Sequence, residues 1–221
     1  MKTVIFDLYG TLIDIHTDEE SPSFWRSLAK KTRRFFSYDS LELKKKYHAL
    51  CKEKESDREE IEILDVFEEL YQVDRKKAKE IAWIFRRCSI QYLRLYSGAK
   101  KLLRNLKKEG YQIRLLSNAQ EAFTIPELEK LRIKDYFDGI AISSMYGVKK
   151  PNQSFYKQAL KDVDFGEAIM IGNEPECDIF PAQAVGLKTI YIESNLTFKK
   201  NINPDVYGFD YKLIYQTIKK Y

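Results

Sequence analysis

Four short stretches of this chain hold residue types suited to attack on an anionic electrophile. The first is Asp7-Leu8-Tyr9-Gly10-Thr11-Leu12, directly after an apolar run. The second is Ser117-Asn118 and the third is Gly147-Val148-Lys149-Lys150-Pro151. The fourth is Gly172-Asn173-Glu174-Pro175-Glu176-Cys177-Asp178. A carboxylate such as Asp7 can act as a nucleophile, giving a covalent acyl-type intermediate that water later resolves. Gly10 lets the backbone turn sharply and approach a ligand, while nearby amides and the Thr11 hydroxyl can donate to its oxygens. Ser117 can donate to a transferring group, with Asn118 beside it, and a following helix N-terminus favours anions. Lys150 offsets the charge of nucleophile and substrate together, although Lys149 is equally available on sequence grounds. Glu174 and Asp178 are hard oxygen ligands suited to magnesium, shared with Asp7. Taken singly, each residue has a plainer use as a cap or an acidic helix start. Their order and placement carry the information.

The placement follows from the elements around them. Lys2–Phe6 is a short apolar run without alternation, as expected of a strand buried on both faces. Gln112–Leu116, Gly139–Ile142, Ala168–Ile171 and Thr189–Ile192 resemble it. Helical segments lie between them. Ser97 is positioned to cap one that Gly110 ends, Pro151 sits where a first helical residue belongs, and another helix closes before Gly186. Alternating strands and helices imply a parallel, doubly wound α/β sheet, a Rossmann-like core. Ligands of such sheets bind beyond the carboxyl ends of the strands, where the reactive stretches fall.

One region interrupts the alternation. From about His16 to Tyr96 the pattern is helical throughout, with starts at Ser21-Pro22, Asp39-Ser40, Asp57 and Asp74. The last helix carries Ala78, Ile81, Phe85, Cys88, Tyr92 and Leu95 on one face. Four such helices can form a bundle of their own, with Trp25, Phe35, Phe36 and Trp83 as packing. The expected layout is a core from 1–15 and 96–221 and an inserted helical domain from 16–95.

The 221 residues suffice for a core with an inserted module. The net charge of +5 is gathered in lysine clusters at Lys30–Lys31, Lys44–Lys46, Lys76–Lys77 and Lys199–Lys200. Acidic neighbours make these solvated helix faces rather than a nucleic-acid surface. The three cysteines, Cys51, Cys88 and Cys177, have no metal-ligand spacing and read as free thiols. The chain shows no secretory leader pattern and no membrane-length apolar stretch, so a cytoplasmic protein is expected.

Together the four stretches resemble the motifs of the haloacid dehalogenase superfamily: Asp7 to Leu12 the first, Leu115 to Asn118 the second, and Lys150-Pro151 the third. Gly172 to Asp178, with Ala184 to Leu187 downstream, resembles the fourth. The insert lies where that family carries an α-helical cap. The resemblance implies a hydrolase with Asp7 as nucleophile and Ser117 and Lys150 positioning the transferred group. It also implies Mg2+ held by Asp7, the Tyr9 carbonyl and the acids of the fourth motif. Most members hydrolyse phosphate monoesters.

Two departures bear on the reaction. Phosphatases of this family usually place a second aspartate, the general acid, where this chain has Tyr9, and a phenol is a poorer proton donor. Tyrosine there, and Tyr156 after Lys150, resemble the metal-free 2-haloacid dehalogenases, in which Arg33 or Arg34 would bind the substrate carboxylate. Asn173 stands where the first acid of the fourth motif is usual, leaving Glu174 to reach the metal. The acidic fourth motif favours a magnesium-dependent phosphatase acting on a small phosphorylated metabolite. A dehalogenase-like hydrolase is the enzymatic alternative, and a non-catalytic binding or regulatory protein the third. Oligomeric state is left open.

Overall fold

The structure, a computed structural model, describes residues 2–56, 58–196, 206–207 and 210–220. Among these, β1 (Thr3–Phe6), β4 (Gln112–Ser117), β5 (Gly139–Ile142), β6 (Ala168–Gly172), β7 (Lys188–Tyr191) and the two-residue β8 (Val206–Tyr207) form one sheet. Its order is β5-β4-β1-β6-β7-β8, and every pairing is parallel. All four residues of β1 are buried, because helices cover both faces of the sheet and leave no polar side for alternation. Phe6 stands opposite Leu115 on one side and Ile171 on the other. Register alone therefore brings Asp7, Ser117 and Asn173 to the same end of three adjacent strands. Because the chain runs from β1 to one side and returns through β6 on the other, that end is a topological switch point.

The insert contains α1 (Pro22–Thr32), α2 (Ser40–Glu55), α3 (Ile63–Tyr71) and α4 (Arg75–Ser89). Ser21, Asp39 and Asp74 cap α1, α2 and α4 as their types predict, each accepting backbone N–H groups. Asp57 lies outside the described residues, and α3 is instead capped by Glu62. Trp25, Phe67 and Phe85 are buried at the centre of the insert's own apolar cluster, while Phe36 is exposed and stacks on Tyr38.

Several boundaries differ from the sequence reading. The expected unbroken helix through Leu95 stops at Ser89, and Ile90–Leu95 forms strand β3. It pairs antiparallel with β2 (Ile13–Thr17), so a two-stranded ribbon leads into and out of the insert. The β-branched Ile90 and aromatic Tyr92 suit a strand once a partner is present, which helical periodicity alone cannot reveal. The helix α5 (Ala99–Lys108) starts from Gly98 at positive φ, with no side-chain cap from Ser97. Asn152, not Pro151, precedes α7 (Gln153–Ala159), capping it through its side chain.

Lysines of the predicted solvated faces pair with acids: Lys44 with Glu20, Lys46 with Glu42 and Lys77 with Asp74. Lys199 and Lys200 lie outside the described residues. No helix among the described residues is long and apolar enough to cross a membrane.

Phe85 joins the insert to the core, since it packs in the bundle and stacks on Phe123 of α6 (Glu121–Lys130) at 5.9 Å. Phe85→Ala should cost about 3–5 kcal/mol by the lost apolar contacts and the cavity left behind. Urea denaturation would measure it, and a loss under about 1 kcal/mol would show the site collapsing freely.

Candidate active site

Asp7 follows β1 directly and is held by its own backbone, whose N–H donates to the Ile171 carbonyl at 2.9 Å. The residue is 7% exposed. One oxygen, Oδ1, accepts from Lys150 Nζ at 2.7 Å, and Oδ2 accepts from the Thr11 hydroxyl at 3.1 Å. Lys150 is 3% exposed and also donates to Asp178 Oδ1 at 2.6 Å. Burial alone would favour a neutral amine, but the two adjacent carboxylates outweigh it and hold Lys150 above its ordinary value. Burial raises the Asp178 carboxyl, which Lys150 opposes and the Asp7 charge reinforces. Lys149 is exposed, so Lys150 is the inward lysine.

Asn173, also buried, lies across this group. One terminal atom of its amide sits 3.0 Å from the Tyr9 carbonyl oxygen, 3.0 Å from Thr11 Oγ1 and 3.2 Å from Asp7 Oδ2. An NH2 group at this position can donate to two of these three oxygens. With a cation among them, the amide oxygen can face inward instead. Octahedral magnesium, with bonds of about 2.1 Å, sets neighbouring ligand oxygens about 3.0 Å apart. The distances from this Asn173 amide atom to Asp7 Oδ2 and to the Tyr9 carbonyl oxygen therefore fit such an ion.

Several expected residues take other positions. Glu174 turns its side chain to the exposed surface, while its backbone N–H donates to Asp178 Oδ2 at 2.9 Å. Asn173, which the sequence reading passed over as a lost acid, faces the oxygen cluster in its place. Asn118 does not offer a free amide: Nδ2 donates to the Lys150 carbonyl at 2.9 Å and Oδ1 accepts the Lys150 N–H at 2.8 Å. It fixes the loop that carries Lys150. Gly10 has φ of +82°, and a Cβ there would lie 2.3 Å from the other terminal atom of the Asn173 amide. Its N–H is already donated to the Ile13 carbonyl. The glycine thus makes room for Asn173. Ser117, by contrast, is 1% exposed and its hydroxyl has no hydrogen-bond partner among the described residues. An unsatisfied buried hydroxyl is costly, so Ser117 is a candidate donor to a bound ligand.

The Tyr9 side chain points away from this cluster. Its hydroxyl donates to Glu127 Oε2 at 2.5 Å and lies 3.1 Å from Thr124 Oγ1, both on α6. Burial and the Glu127 charge hold the phenol far above its ordinary value. Glu127 is fully buried and also accepts from Arg86 Nε of α4 at 2.6 Å. Tyr9 and Arg86 line a cleft of about 600 Å³ between insert and core. Arg33 and Arg34 do not line it. Arg33 sits at the end of α1 and Arg34 pairs with Glu80. Tyr156 is fully buried and donates to the Cys177 carbonyl, a packing role.

A cluster of buried charged and polar groups is thus laid out around Asp7 at the strand ends of a doubly wound sheet. The chain belongs to the haloacid dehalogenase-like hydrolases, whose family model matches residues 1–186. It is 38% identical over 117 residues to a glyceraldehyde 3-phosphate phosphatase of Pyrococcus furiosus, covering 49% of each chain. To a sesquiterpene phosphatase of Aspergillus oryzae it is 31% identical over 146 residues, covering 63% of this chain and 71% of the other. The chain spans about half the length of the first of these relatives. The fold is similar to that of a 2-haloacid dehalogenase from Pseudomonas syringae (TM-score 0.67, 20% identity, 100% and 99% covered). It is also similar to that of a phosphatase of the same superfamily from Thermococcus onnurineus (TM-score 0.64, 19% identity, 99% and 98% covered).

Removing the buried cation should leave Asp7 and Asp178 facing each other unpaired. Lys150→Ala is therefore expected to destabilise the fold by about 3–5 kcal/mol. Equilibrium urea unfolding at neutral pH reads this directly. Stability equal to wild type would mean that water screens the two carboxylates.

Proposed function

We propose that the chain is a magnesium-dependent phosphatase of small phosphorylated metabolites that uses Asp7 as nucleophile. The observation that carries this reading is that one Asn173 amide atom lies 3.0 Å from the Tyr9 carbonyl oxygen and 3.2 Å from Asp7 Oδ2 while Lys150 holds Asp7 Oδ1. Asp7 attacks phosphorus, the P–O bond to the alcohol breaks, and an aspartyl phosphate forms. Water then hydrolyses it, returning phosphate and the free carboxylate. Ser117 Oγ donates to a phosphoryl oxygen, which satisfies its buried hydroxyl. Lys150 keeps a positive charge beside nucleophile and phosphoryl group in a site largely closed to water. Magnesium, held by Asp7, the Tyr9 carbonyl and Asn173, would offset the remaining charge of the phosphoryl oxygens. Asp178 acts through Lys150, whose Nζ donates to its Oδ1 at 2.6 Å.

Tyr9 also suits a dehalogenase, which needs no proton for halide. That reaction requires a guanidinium open to the substrate carboxylate. Arg86, which lines the cleft, is ion-paired with buried Glu127, and Arg33 and Arg34 lie elsewhere. The phosphatase reading therefore accounts for more of the site.

Asp7→Asn should abolish hydrolysis of p-nitrophenyl phosphate while leaving the circular dichroism spectrum unchanged. Wild-type halide release from 2-chloropropionate without magnesium would overturn the phosphatase assignment. If no ester turns over, the regulatory alternative stands.

Asn173 lends one neutral oxygen where a carboxylate would lend a charged one, and ligand charge count tunes affinity for hard cations. Asn173→Asp should bind magnesium at least about tenfold more tightly by calorimetry, a difference of about 1.4 kcal/mol. Unchanged affinity would remove Asn173 from the ligand set.

With the Tyr9 proton committed to Glu127, the leaving alcohol departs without that acid. Aryl phosphates should react about 10²–10⁴-fold faster than alkyl phosphates, the usual worth of general acid catalysis. Equal rates would require another proton donor.

A further inference from the structure

Beyond the phosphoryl site, the cleft between insert and core has a charge pattern of its own. Three carboxylates from the insert, Glu19, Glu55 and Glu60, line it together with Arg86 and His48. Arg86 is the one guanidinium among them, and its charge is already committed. Its Nε donates to buried Glu127 at 2.6 Å, and Nη1 lies 3.7 Å from Glu19 Oε1. Arg86 therefore divides its charge between Glu127 and Glu19, one guanidinium set against Glu127 and the three cleft carboxylates. Glu55 is exposed, and Glu60 is held partly buried where the insert meets the loops after β4 and β5.

Glu60 is built into place. Its Oε2 accepts from Ser143 Oγ at 2.9 Å and its Oε1 accepts from Gln120 Nε2 at 3.0 Å. Each carboxylate oxygen has two lone-pair directions, so acceptor capacity remains on both. These bonds fix the carboxylate beside Ala119 and Asn118, the residues that continue from Ser117. Burial raises both Glu60 and Glu19 above their ordinary values, with Lys149 and Arg86 respectively opposing.

We infer that the cleft selects phosphate monoesters whose alcohol carries hydroxyl or ammonium donors and rejects those carrying a second anionic group. This rests on the phosphatase reading and deepens it. A hydroxyl or ammonium group can satisfy the open lone pairs of Glu60, whereas a carboxylate or second phosphate meets like charge. At about 4 Å in a partly buried site, that repulsion lowers affinity on the order of tenfold to a hundredfold after solvent screening.

Competition against p-nitrophenyl phosphate turnover tests selection without requiring that the competitor itself be hydrolysed. In the presence of magnesium, the inhibition constant of phosphoethanolamine or glycerol 1-phosphate should be at least about tenfold lower than that of phosphoglycolate or fructose 1,6-bisphosphate. The ratio should narrow in Glu60→Gln, which keeps the side chain's shape, and in Glu55→Gln, which lies on the exposed rim. Tighter inhibition by phosphoglycolate or the bisphosphate in wild type would overturn the inference and leave the phosphatase reading standing. So would a ratio that both variants leave unchanged. Absence of p-nitrophenyl phosphate turnover would remove the reading itself, and the inference with it.

Discussion

Lys150 can be buried in this fold only because two carboxylates meet it, and the rest of the site is arranged around that requirement. An ammonium taken out of water without partners would shed its proton. Asp7 and Asp178 prevent this at 2.7 and 2.6 Å, and Lys150 in turn lets both acids be buried. The three groups come from the ends of β1 and β6 and from the loop ahead of α7. Their meeting therefore depends on the register of the central strands and on the loop that Asn118 clamps through both backbone groups of Lys150. A shift of one residue in either parallel pairing would separate the charges and leave each uncompensated.

The same economy explains why glycine flanks the site. Gly10 yields its Cβ volume to Asn173, and a Cβ on Gly172 would fall 2.3 Å from Asp178 Oδ2. Both glycines let a polar side chain of the fourth motif reach inward against backbone. Conformational freedom is needed at Gly10, where φ is positive. At Gly172 the need is space alone. Ser117 is the complementary case, a buried hydroxyl left without a partner in a structure that satisfies most of its polar groups. Such a cost persists where a ligand removes it.

The core was legible in the sequence because a parallel sheet covered on both faces writes itself as short apolar runs, and every such run proved to be a strand. The strand-end residues Asp7, Ser117, Lys150 and Asp178 were legible for the same reason, since their strands or adjoining loops fixed their place. Strand β3 was not, because Ile90–Leu95 continues the apolar spacing of α4 and gains its strand character only from pairing with β2. The choice between Asn173 and Glu174 was also hidden. Adjacent residues at a strand end point in opposite directions, and only the register decides which faces the site. The commitment of Asn118 to backbone depends on a contact 32 residues away, for which one sequence carries no local signal.

Tyr9 and Arg86 show how a single buried acid can settle the character of a cleft. Glu127 has no exposure, so both of its oxygens must find donors, and it finds them in a phenol from the core and a guanidinium from the insert. The phenol is thereby turned away from the Asp7 cluster and held above its ordinary value, which removes it as a ready proton donor. The guanidinium is neutralised, which removes it as an anchor for a substrate anion. The contact also ties α4 to α6 across the boundary between insert and core, beside the Phe85–Phe123 stack. Docking of the insert and the negative balance of the cleft beneath it therefore have one origin. If Glu127 were an apolar residue of similar size, Arg86 would be released toward the cleft, which would gain a guanidinium shared only with Glu19.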